Sequence, residues 1–210
     1  MNERPHTTPP CTTPPCTTPH PLSGVLLDEQ SGTSVRQVIG LLLSRAREAD
    51  FAIARIRLGA VDLSPAELAT VRHCRVLLGR LDVQSLAAAP DSHPRAMATL
   101  LEFLRSGRIE VRSAAGASWH NDFSVFRGLP ADHVLPRGTA CLVGAHSFWS
   151  PQAPDGPSFT CVLGSPGATA CAARRFAQLW TRAYDVLPVL IQTVSLAAAG
   201  DDHSRAPRLA

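Results

Sequence analysis

Between Ser34 and Val186 the apolar residues of this sequence switch repeatedly between a helical and a strand period, and that succession is what narrows the folds open to it. Val35, Val38, Ile39, Leu42 and Leu43 recur at helical spacing behind Ser34, a capping residue type, and predict an amphipathic helix reaching Ala49. Residues 51 to 58, FAIARIRL, alternate and predict a first strand with Arg55 and Arg57 on one face. Ser64, Pro65 and Glu67 have the spacing of a capping box at the start of a short helix, and RVLLGRL (75 to 81) reads as a second strand. Pro94 to Arg105 is a helix with Met97, Leu100, Leu101 and Leu104 on one face and Gly107 placed to end it. Ile109 to Ser113 forms a strand, followed by apolar runs at 123 to 126, 140 to 148 and 159 to 163. A long helix from Ala168 to Val186 then carries Phe176, Leu179, Trp180 and Ala183 at core spacing. This order predicts an α/β domain in which a mixed β-sheet is flanked by helices.

Two tails bracket that domain. Residues 1 to 22 are rich in Pro and Thr, a composition that fixes extended backbone and cannot pack a core, so a disordered or polyproline-like tail is expected there. The domain is expected over 23 to 190, and 191 to 210 reads as a second, frayed tail. At 210 residues with 45% hydrophobic content, the middle can bury a sizeable core. The chain has no lysine: all 20 basic residues are arginine, and a net charge of +3 over this length is no nucleic-acid footprint by itself. Cys74, Cys141, Cys161 and Cys171 lie in apolar runs and read as buried free thiols, and Cys11, Cys16 and His20 complete no four-ligand metal template. No secretory signal or span-length apolar run is visible, so a soluble, cytoplasmic protein without a transmembrane segment is expected.

The order of elements and the second half of the chain carry a resemblance. LRSGRIEVRS leads into Trp119, His120, Asn121, Asp122, FSVF, Arg127 and Gly128; then come Gly144, Ala145, His146, Ser147 and Phe148, and finally RRFAQLW. In order and spacing this resembles one half of the phospholipase D-like superfamily, whose motif is H-x-K-x4-D-G followed by G-S-x-N and a helix with F-x-x-x-W. The resemblance spans about residues 34 to 187 and implies the family's α/β fold. At the decisive positions the residues depart from the pattern. His120 matches the motif histidine, Asp122 stands for its lysine, Arg127 for its aspartate, and Ala145 and Ser147 for its serine and asparagine.

In the family the histidine attacks phosphorus while lysine and asparagine hold the nonbridging oxygens. The resemblance therefore implies His120, Asp122 and His146 as the candidate catalytic set, with Arg112, Arg127 and Ser147 as candidate phosphate contacts. One half supplies one histidine, so a homodimer is expected, with a nucleic acid or another phosphodiester as ligand and no cofactor. Asp122 opposes the family chemistry, because at 4 Å and a surface dielectric its charge repels a phosphate by about 4 kcal/mol. The expected outcome is a degenerate domain that binds or assembles without turnover. Against it stand an active phosphodiesterase in which Arg112 replaces the lysine, and a two-histidine, one-carboxylate metal set of His120, His146 and Asp122. Trp119, Phe148 and Trp149 are expected mainly as core.

Overall fold

In the computed structural model, the structure describes residues 25–27, 35–55, 64–80, 94–114, 122–131, 137–144 and 160–204. The N-terminal tail, Arg57, Trp119, His120, His146, Ser147, Phe148 and Trp149 lie outside the described residues.

Among the described residues eight strands form a single sheet: β1 (Val25–Leu27), β2 (Glu48–Arg55), β3 (His73–Arg80), β4 (Ile109–Ser113), β5 (Asp122–Leu129), β6 (Gly138–Gly144), β7 (Thr160–Leu163) and β8 (Tyr184–Asp185). Their order across the sheet is β1-β7-β6-β5-β2-β3-β4-β8. β2, β3 and β4 are parallel, and every other pairing is antiparallel, so the expected mixed sheet is present. The described helices are α1 (Val35–Leu43), α2 (Pro65–Leu68), α3 (Pro94–Arg105), α4 (Pro166–Trp180) and α5 (Leu187–Ser204).

The two faces of the sheet are covered unequally. On one, Ala49, Phe51, Ile53, Val76, Leu78, Val111, Phe126 and Leu142 pack against α1, α3 and α5 in the main core, where Phe51 meets Phe126 edge to face at 5.6 Å. On the other, Ala52, Leu77 and Ala114 pack against Phe176, Leu179 and Trp180 of α4. Burial of both faces explains why the strands read as nearly continuous apolar runs.

Local signals placed several elements well. Ser64 and Glu67 close the expected capping box, Ser64 Oγ accepting from Glu67 N and Glu67 Oε2 from Ser64 N at 2.9 Å. α3 and β4 have the expected limits. Elsewhere the tertiary structure overrode the local pattern. α1 ends at Leu43 instead of reaching Ala49, because residues 48 to 50 are drawn into the sheet between β3 and β5. The helix expected over 168 to 186 ends at Trp180, and the next begins only at Leu187. Its chain turns after Trp180, adds Tyr184 and Asp185 to the edge of β4, and restarts where Asp185 Oδ1 accepts from Leu187 N at 2.9 Å. Pro188 tolerates a first turn but no helix interior, which separates the two. Residues 191 to 204, expected in a frayed tail, continue α5, and Leu190, Thr193 and Val194 are buried there. Of the cysteines expected to be buried, Cys74 and Cys141 are; Cys161 is partly exposed, and Cys171, on the outer side of α4, is exposed. Burial pushes the Cys141 thiol up to about 11, which leaves it protonated and inert.

Candidate functional site

Asp122 opens β5 at the end of the sheet where β2 finishes, and its register partner on β6 is Gly144. The side chain is almost fully buried, at 9% exposure, and Oδ1 accepts from Ala54 N at 2.7 Å. This bond occupies a backbone donor of β2 beyond the last paired residues of β5. Burial pushes the carboxyl up to about 6, against the smaller opposing pull of the Ala54 N–H. No cation neutralises it among the described residues.

The described candidate phosphate contacts are not brought to Asp122. Pairing of Leu142 with Ser124 and of Phe51 with Ser124 puts the even-numbered residues of β5 on the α1–α3–α5 face. Arg112 pairs with Leu77 in the β4–β3 ladder and so lies on the α4 face. There its guanidinium sits 4.6 Å from the Trp180 ring centre, donates to Trp180 O at 3.4 Å and lies 3.8 Å from Glu110.

Arg127 is at the other end of β5. It donates through Nη2 to Asp50 Oδ2 and through Nη1 to Glu48 Oε2 at 3.4 Å. Arg75 closes on the same carboxylate with two bonds of 2.8 Å, Nε to Oδ1 and Nη2 to Oδ2. Asp50, only 2% exposed, is thus held between arginines from both neighbouring strands. Its hydrogen bond raises the Arg75 pKa despite partial burial. The Arg75 guanidinium also stands 5.0 Å from the Phe176 ring centre and 5.5 Å from that of Trp180. His73 Nε2 meets Glu110 at 2.7 Å on the same face, a partner that its sequence neighbourhood did not suggest. The signal available for this network was one acid, Asp50, inside an apolar strand.

Neither a protein-family model nor a curated protein sequence matches the chain. Solved structures do. Nuc from Salmonella typhimurium, a phospholipase D family member, aligns over 78% of this chain and 97% of its own with a TM-score of 0.51 and 11% identity. NucT from Helicobacter pylori aligns over 78% and 99%, with a TM-score of 0.51 and 9% identity.

A mixed sheet between two unequal helical layers, with an antiparallel central strand that opens on Asp122, defines an α/β protein of three layers. Its fold is phospholipase D-like.

Proposed function

We propose that this chain is a degenerate phospholipase D-like domain that serves as a non-catalytic binding or assembly module, acting as a homodimer with affinity for phosphate-containing ligands. The observation that carries this reading is Asp122. At the place where the resemblance calls for a lysine stands a buried carboxylate engaged with the backbone of β2. A phosphate brought to His120 would meet that charge instead of a cation, and a nearly dry site amplifies the repulsion. Arg127, in the place of the motif aspartate, is spent on Asp50 and Glu48. Arg112 is held against Trp180 on the face opposite to Asp122.

The test is hydrolysis of a generic phosphodiester, bis(p-nitrophenyl) phosphate, and of single-stranded DNA by the purified chain, beside a His120→Ala variant. The expected result is no turnover by either protein. Robust hydrolysis that disappears in His120→Ala overturns the reading. Sedimentation of the wild-type chain tests the dimer, which a monomer at all accessible concentrations would remove.

A further inference from the structure

The end of the sheet away from Asp122 carries a row of arginines, one at or beside the end of each of five adjacent strands. Arg47, Arg72 and Arg108 immediately precede β2, β3 and β4, Arg127 lies near the end of β5, and Arg137 immediately precedes β6. In the sheet these strands run β6-β5-β2-β3-β4 without interruption. Main-chain hydrogen bonds fix much of the row: Arg47 N donates to Arg127 O at 2.9 Å, Arg72 N to Arg47 O at 2.8 Å, and Cys74 N to Arg108 O at 2.8 Å. Arg137 is carried beside β5 by the pairing of Gly138 with Leu129. At the usual strand separation the row is about 19 Å long.

Its charges are not neutralised evenly. Arg127 is consumed by Asp50 and Glu48. Arg108 donates to the carbonyls of Leu68 and Val71, at 3.1 and 3.2 Å, and lies 5.5 Å from the Phe103 ring centre, with no carboxylate partner among the described residues. Arg47, Arg72 and Arg137 are exposed and form no ion pair among the described residues. The described carboxylates on these strands near this end are Glu48 and Asp50, both held by Arg127, and Glu110, which meets His73 and Arg112.

The geometry points to this edge as a binding surface for the phosphate backbone of a nucleic acid, contacted without reading base sequence. A backbone-anchored series of arginines, three of them exposed and without an ion pair among the described residues, suits a linear polyanion better than a point anion. The large exposed apolar side chains among the described residues are Tyr184, Val189 and Leu196, none of them in the row. The edge therefore lacks both the apolar centre of a protein interface and the aromatic platforms that stack bases. Its member on β5, Arg127, lies about 17 Å along the strand from Asp122, so the surface is separate from the site of the proposed function.

The experiment is fluorescence anisotropy of the full chain with a labelled mixed-sequence DNA duplex, titrated between about 50 and 200 mM salt. Wild-type protein is expected to bind with a salt-dependent affinity. The triple variant Arg47→Gln/Arg72→Gln/Arg137→Gln is expected to bind at least about tenfold more weakly, its log–log salt slope shallower by about 2 to 3. Arg72→Gln alone, whose side chain makes no ion pair among the described residues, should lower the slope by about 1 and guards against a misfolded triple variant. Arg174→Gln and Arg175→Gln, exposed on α4 and outside the row, should bind as wild type does. Absence of binding at the lowest salt, or wild-type affinity in the triple variant, overturns the inference. So does polyglutamate binding as tightly as DNA with the same losses, which would assign the edge to an acidic protein segment. Hydrolysis, read separately, bears on the proposed function and leaves this inference untouched.

Discussion

Two buried aspartates, Asp50 and Asp122, sit on neighbouring strands of one sheet in opposite circumstances. Asp50 is on the α4 face near the arginine-lined end, gripped by Arg75 and Arg127. Asp122 is on the other face and at the other end, with one backbone N–H as its recorded partner and a carboxyl pushed up to about 6. A carboxylate flanked by two guanidiniums ties three strands together, whereas one sealed in with a single dipole is a burden on the fold when ionised. Stability alone does not account for an ionisable group at the second position, the one that the resemblance in sequence order aligns with the motif lysine.

The sharpest way to break this contrast is Asp50→Ala, which leaves Arg75 and Arg127 without their shared partner. Removing one member of a buried ion pair typically costs about 3 to 5 kcal/mol, and urea unfolding should show a loss of that size. A loss below about 1 kcal/mol would mean that solvent already satisfies the arginines.

Asp122→Asn should move the other way. The folded-state carboxyl titrates near 6, above an unfolded value of about 3.9, so the ionised form is the one penalised by folding. That penalty is full above pH 6, diminishes as pH falls through 6, and is gone below about 4. Asparagine keeps an acceptor for Ala54 N without the charge. The variant should therefore gain about 2 kcal/mol at pH 7.5, and the gain should shrink toward zero by about pH 4. A difference that does not change with pH would show that charge is not the cause.

Gly128 links the arginine-lined end to the motif. It adopts φ of +70°, and an added Cβ would lie 3.0 Å from Arg47 Cβ. Gly128→Ala should cost about 1 to 2 kcal/mol through backbone strain and displacement of the Arg47 stem, measurable as a lower thermal midpoint. The smallest effect should come from His73→Gln. His73 and Glu110 are each nearly half exposed, and solvent-screened pairs contribute less than about 1 kcal/mol. Denaturant midpoints of wild type and variant should nearly coincide.

Much of the architecture was legible because its causes are local. The capping box at Ser64 and Glu67, the apolar face of α3 and the alternation of β4 involve residues within a few positions of one another. Each is written out in sequence. The motif spacing was equally readable, and it picked out Asp122 as the departure. The end of α4 at Trp180, the short strand β8 and the helix beyond Leu187 were missed because apolar spacing continues through residues 181 to 186 and hides the turn.

What the sequence by itself determined was the order of helices and strands, the mixed α/β class and the chemical identity of residue 122. Only the tertiary structure decided that Asp50 meets Arg75 and Arg127, 25 and 77 positions away. It also decided that Arg112 faces away from Asp122 and that five arginines share one edge. These outcomes rest on strand register, in which a shift of one residue turns every side chain to the opposite face. Register is set by burying the two faces of the whole sheet together, which no short stretch of sequence encodes.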